Sequence, residues 1–209
     1  MLDAHSAASV AFTENGAPIA IDPALTLSDV DSATVSGAKV SITGHFHADQ
    51  DVLSFVNQNG ISGVYANGML TLTGLASIAA YQAALRSVAY SDSSDNPSAD
   101  VRTISYQVDD GSGANNLSNT VTASVTVMPV NDAPMLDYFN LTVTEGGTTL
   151  LTSADLHITD PDSTSFFLSL ANVTGGQFEV WNGSNWVSAP TGGFTAADIA
   201  ASHVRFVAD

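Results

Sequence analysis

The chain contains no cysteine, so neither a disulfide framework nor a thiolate metal site can hold it together. It is nearly as poor in positive charge. Lys39, Arg86, Arg102 and Arg205 stand against 21 acids, giving a formal net charge of −17 over 209 residues. A balance of that sign argues against nucleic acid and anionic membrane surfaces as partners and makes cations the natural ones. Thr, Ser, Asn or Gly interrupts every apolar run, so no membrane insertion is expected. Met1 to Ser9 has neither a basic start nor an apolar core, so no signal peptide is read there. The chain reads as a fragment of a longer exported protein, stabilised by metal instead of cross-links. G-x-S-x-G, H-E-x-x-H and a cysteine nucleophile are all missing, which argues against an enzyme.

What is present points to β-structure. Hydrophobic residues make up 44 % of the chain, enough for a real core in one or two domains. Between Thr120 and Pro129, Val121, Ala123, Val125 and Val127 alternate with Thr122, Ser124 and Thr126, the period of a half-buried strand. Pro134 fixes φ and cannot donate to a ladder, so the chain leaves the sheet at Val130-Asn131-Asp132-Ala133-Pro134. Asn131 and Asp132 are hard oxygen ligands at this hinge and suit Ca²⁺ better than a transition metal. An internal repeat marks the hinge as a domain junction. Glu14 recurs as Glu145 (145 − 14 = 131), and Asp29-Val30-Asp31-Ser32 recurs as Asp160-Pro161-Asp162-Ser163 at the same offset. The expected domains are residues 1–130, a linker at 131–134 and a second module at 135–209.

In the first module, Val10 to Thr13, Thr34 to Thr43, Val52 to Val56, Gly63 to Tyr65, Met69 to Thr73, Val88 to Tyr90 and Val101 to Asp109 read as strands. Asn59-Gly60 and Asn67-Gly68 supply tight turns. Ile78, Tyr81, Ala84 and Leu85 fall at helical spacing behind a Ser77 N-cap, predicting one short helix. His45, His47, Asp49 and Asp51 could be drawn as a zinc cluster but are read as a solvated turn. In the second module, Tyr138 to Thr144 is the predicted first strand and Phe166 to Leu170 a further one. Gln177 to Val180 and Trp186 to Val187 form a hairpin, and Thr195 to Ser202 a helix, before Val204-Arg205-Phe206 answers Val88-Ala89-Tyr90. Nothing after Phe206 corresponds to Val101–Asp109 and Thr120–Pro129, so exposed strand edges and a less stable second half are expected. The fold class is all-β: tandem Greek-key antiparallel β-sandwiches, the second incomplete.

The acids and the hinge together resemble the calcium scheme of cadherin-type tandem repeats. In that scheme a strand-A glutamate, an N-D linker ending in proline and a D-x-D loop of the next domain enclose Ca²⁺. The resemblance assigns these roles to Glu14, to Asn131 and Asp132 with Pro134, and to Asp160 with Asp162. It also implies a second site from Asp109, Asp29 and Asp31. Asp51 to Phe55, Gly68 to Gly74, Tyr81 to Val88 and Val130 to Pro134 are similar to bacterial cadherin-like repeats of large secreted adhesins. Gly176-Gln177-Phe178 and Phe194 to Ile199 resemble the chondroitin-sulfate-proteoglycan type of cadherin-like repeat. The D-R-E triplet of animal cadherins has no acidic counterpart in Leu70 to Gly74. Fewer ions per junction and affinities of roughly 10⁻⁴ to 10⁻³ M are therefore expected.

The resemblance implies a calcium-binding structural repeat of an extracellular adhesin. Its partners would be neighbouring repeats of the same chain and a cell-surface protein or glycan. The rival reading is a carbohydrate-binding accessory module of a secreted enzyme, using Trp181, Trp186, Phe178 and Tyr138 as stacking faces. The Asn116, Asn140, Asn172 and Asn182 sequons arise readily in a chain this rich in Ser, Thr and Asn.

Overall fold

The computed structural model describes residues 3–5 and 8–209, the side chains from residue 8 onward. Part of the Met1–Ser9 stretch read for a signal peptide lies outside these residues. The chain divides into two compact units, Met1–Val130 and Asn131–Asp209.

The first unit is an all-β sandwich. Its strands are β1 (Asp3–His5), β2 (Ser9–Thr13), β3 (Ile19–Ala20), β4 (Thr26–Ser28), β5 (Thr34–Gly44), β6 (Asp51–Ser54), β7 (Ser62–Ala66) and β8 (Met69–Ser77). The helix α1 (Ile78–Arg86) follows, then β9 (Ala89–Asp92), β10 (Arg102–Asp109) and β11 (Val121–Met128). One sheet runs β2-β11-β10-β5-β8-β7 and the other β3-β9-β6, with β1 and β4 as a separate ribbon. The core lies between them because β10 turns Ile104, Tyr106 and Val108 inward while β11 does the same with Ala123, Val125 and Val127. In β5 the buried residues run Val35, Ala38, Val40, Ile42. The odd step falls at a register shift between Val35 and Gly37, which re-phases the strand. Among the described residues all strand pairings in this unit are antiparallel except β2 with β11, which run parallel. Ser77 caps α1 by accepting from the Ala80 N–H at 3.2 Å, and the helix buries Tyr81, Ala84 and Leu85.

The second unit comprises β12 (Met135–Phe139), β13 (Thr148–Leu150), β14 (Leu156–Thr159), β15 (Phe167–Leu168), β16 (Gly176–Trp181), β17 (Trp186–Ser188) and β18 (Phe194–Thr195), then α2 (Ala196–Ala200) and β19 (Val204–Ala208). One sheet runs β13-β19-β16-β17, and β12-β14 and β15-β18 form two-stranded ribbons. The strand expected at Tyr138–Thr144 lies instead at Met135–Phe139. It ends where Asn140 donates its N–H to the Asp155 carbonyl, and Leu141 then packs on the core as irregular backbone. Thr195 and Asp198 close a reciprocal capping box on α2, with Thr195 Oγ1 and N–H both reaching Asp198 Oδ2.

Candidate metal centre

Two acidic turns recur in both units with the same backbone hydrogen bonds. At the end of β2, the Gly16 N–H donates to Thr13 O at 2.9 Å and Asn15 has φ 57°. After an offset of 131 residues, Gly147 N–H donates to Thr144 O at 2.8 Å and Gly146 has φ 65°. The left-handed position suits Gly, which has no Cβ to meet the following carbonyl, and Asn, whose short polar side chain can hydrogen-bond locally. After β4 the Asp31 N–H donates to Asp29 Oδ1 at 3.2 Å, and after β14 the Asp162 N–H donates to Asp160 Oδ1 at 2.8 Å. Both are Asx turns, in which a carboxylate replaces a backbone carbonyl. The side-chain hydrogen bond with Asp31 holds the Asp29 carboxyl below the usual carboxylate range.

The two glutamates of the repeat differ. Glu145 is exposed, whereas Glu14 retains 5 % of its surface. Glu14 Oε2 accepts the Val130 N–H at 2.7 Å, and the Glu14 N–H donates to Met128 O at 3.0 Å. Glu14 therefore holds the residue immediately before Asn131 and Asp132. Its other oxygen, Oε1, is buried with no hydrogen-bond partner. A buried carboxylate oxygen without a donor is costly, and a hard cation relieves that cost as a donor would. In the second unit Asp162 Oδ2 accepts the Asp132 N–H, while Asp160 Oδ1 accepts a second amide, that of Ser163, at 2.7 Å. One oxygen of each carboxylate is thus fixed by a backbone donor, the second-layer bonding that orients a metal ligand. The oxygens these carboxylates offer are hard donors, of the kind that Ca²⁺ takes.

Asp109 behaves otherwise. The alternation that buries Tyr106 and Val108 turns Asp109 to the outer face, where Oδ1 accepts from Gly111 N–H at 2.8 Å and Asn116 Nδ2 at 2.9 Å. Among the described residues Asp29, Asp31 and Asp109 form no group of three converging carboxylates.

Residues 134–209 match the cadherin-like family. Halomucin from Haloquadratum walsbyi (strain DSM 16790 / HBSQ001) is 36 % identical over 106 residues, covering 47 % of this chain. The chain spans 1 % of the length of that relative.

Within residues 134–209 the four aromatic side chains considered as stacking faces each meet a neighbouring ring. Phe178 packs in the core against Phe194 and Phe206. Trp181 meets Trp186 edge to face at 5.6 Å, and the Arg205 guanidinium lies 4.4 Å over the Trp186 ring. Tyr138, half exposed, stacks on His157, whose Nδ1 lies 2.6 Å from Asp137.

The His45–Asp51 loop holds a different kind of site. Asp51 is 1 % exposed and joins an internal network with Tyr90, Asp92 and Arg102. Arg102 Nε reaches Asp51 at 3.1 Å and Nη2 reaches Asp92 at 3.2 Å, while Nη1 donates to the Ser98 and Asp100 carbonyls. The Tyr90 hydroxyl donates to Asp51 Oδ1, and the His47 N–H donates to Oδ2 at 2.7 Å. Burial pushes the Asp92 carboxyl above the usual range. The sequence signal for this network is phase: Arg102 shares the inward face of β10 with Ile104.

Proposed function

We propose that this chain is a calcium-binding structural repeat of an extracellular surface protein. Ca²⁺ would be held where the chain passes from the first unit to the second, with Glu14, Asn131, Asp132, Asp160 and Asp162 as ligands. The observation that carries this reading is the buried, unpartnered Glu14 Oε1 beside the amide of Val130. The recurrence of both acidic turns at one offset supports a tandem arrangement, and the cadherin-like match and the halomucin similarity support an extracellular or surface location. Among the described residues no helix is long and apolar enough to cross a membrane. The role is structural and non-enzymatic. Like charges at the linker repel one another without metal, and a bound dication neutralises them and stiffens the rod. Such a rod supports adhesion by holding a terminal binding module toward a cell-surface protein or glycan, and external calcium keeps it rigid by mass action. Small-angle scattering before and after chelation tests the proposal. The expected result is a more flexible particle without calcium; identical curves overturn it.

A further inference from the structure

The outer face of the first unit's larger sheet carries a cleft that the calcium reading does not use. It measures about 310 Å³ and lies over β5, β8 and β10. Lys39 pairs across the ladders with Thr71 and Gln107, and in the next row Gly37 pairs with Thr73 and Asp109. The row containing Gly37 has a gap in its middle, because glycine places no side chain between Thr73 and Asp109. A Cβ there would lie 3.3 Å from the Leu72 carbonyl, so the gap has a backbone floor. Leu117, about half exposed, forms an apolar wall in the loop between β10 and β11.

The charges of this cleft are unusual for the molecule. Of four cationic side chains, Arg102 is buried in its ion network and Arg205 is paired with Glu179, while Arg86 Nε donates to the Leu25 carbonyl. Lys39 makes no ion pair with any described residue. Asp109, which also lines the cleft, stands diagonally across the ladder, roughly 7–8 Å away by strand geometry, with Oδ1 accepting from Gly111 N–H and Asn116 Nδ2. An anion entering here meets Asp109 and the field of a chain of net charge −17, and a cation meets Lys39. A neutral polyol meets neither obstacle, since a hydroxyl both accepts from Lys39 and donates to Asp109. We propose that this cleft binds a neutral hexopyranose. Its hydroxyls bridge Lys39 and Asp109, Thr71, Thr73 and Gln107 supply further polar contacts, and the ring's apolar face rests on Leu117. This inference does not rest on calcium binding.

The test is saturation-transfer NMR on the full chain with methyl glycosides of glucose, galactose, mannose and N-acetylglucosamine, each at about 10 mM, with and without chelator. Transfer to the ring protons of at least one glycoside is expected, insensitive to chelation. It should weaken roughly tenfold or more in Lys39→Met, the loss expected for a charge-assisted hydrogen bond, and remain unchanged in Trp186→Ala. Gly37→Val, which fills the gap, should abolish it. Because Lys39 is exposed, Lys39→Met should melt with the parent protein, which separates loss of binding from loss of fold. Absence of transfer from every glycoside overturns the proposal, as does binding that survives Lys39→Met.

Discussion

The two units treat an arginine in opposite ways. In the first, Arg102 is wholly buried with two aspartates, and every donor group it directs inward meets an oxygen. In the second, Arg205 lies at the surface between Glu179 and Trp186, its side chain 28 % exposed. The surrounding cores differ in the same sense: among the described residues 23 buried hydrophobic residues form the first and five the second. A large core can enclose charge because it completes the hydrogen bonding of each ion, and a small one keeps its ion pair where water finishes the task. Met135, Leu136, Tyr138 and Phe139 of β12 are each about half exposed or more, so apolar surface in the second unit is also left at the edge.

The sharpest way to break this contrast is to remove each arginine. Arg102→Met should destabilise the first unit by about 3–5 kcal/mol, because Asp51 and Asp92 stay buried without their cation. Arg205→Met should cost only about 1 kcal/mol. Urea unfolding followed separately for the two units measures both, and comparable losses would show that burial is not what distinguishes the pair. The next effect in size is metal linkage. Calcium at ten times its Kd should stabilise the chain by about 1.4 kcal/mol, and Glu14→Gln or the pair Asp160→Asn with Asp162→Asn should remove most of that gain. Calorimetry with and without calcium reads it directly; an unaltered gain in these variants would exclude the acids as ligands.

A smaller effect separates the units at their helices. Thr195→Ala breaks the capping box of α2 and should cost about 1 kcal/mol, as a thermal melt would reveal. Acid acts with opposite signs on the two units. The hydrogen bonds from Thr195 depress the Asp198 carboxyl, so its contribution is present above the ordinary aspartate range and lost as pH falls through its folded value. The raised Asp92 contributes the reverse: stability present in acid and lost as pH rises through its folded value. Asp198→Asn should therefore flatten the pH dependence of stability below the ordinary aspartate range, and Asp92→Asn should flatten the opposite slope above it. At high pH the first unit alone carries buried phenols. Burial raises Tyr65, Tyr81, Tyr90 and Tyr106, so the stability they confer is present below pH 10 and declines above it. Absorbance at about 295 nm should show these four ionising together with unfolding of the first unit, not before it.

Much of the fold was legible where one face of a strand is wet. Ile104, Tyr106 and Val108 alternate with Thr103, Ser105 and Gln107, and the period alone sets their direction; Ser77 announces α1 through its cap. The first strand of the second unit lies at Met135–Phe139 and not at Tyr138–Thr144, and its five exposed residues leave no period to read. The spacing of Asp51 resembles that of a solvated turn, and only the fold brings Arg102, Tyr90 and Asp92 around it. Glu14 was legible through its recurrence as Glu145, although nothing local distinguishes the buried copy from the exposed one. The grouping of Asp109 with Asp29 and Asp31 comes from the resemblance alone; the alternation of β10 shows only that Asp109 lies on its outer face. The Lys39 cleft had no sequence signal, since its parts lie on three strands and its defining element is a missing side chain at Gly37.

The parallel pairing of β2 with β11 bears on how the first unit answers tension. Ser9 to Thr13 lie beside Ser124 to Met128 in the same direction, so the chain enters the ladder at one end and leaves it at the other. Opposed pulls on the two ends of this unit would drag those strands along each other, loading the whole set of β2–β11 hydrogen bonds at once. A hairpin pulled from its open end gives way one rung at a time. Resistance to such a pull is a matter of unfolding rate, not of equilibrium stability, and the hold of Glu14 on Val130 adds a further bond just beyond the last rung.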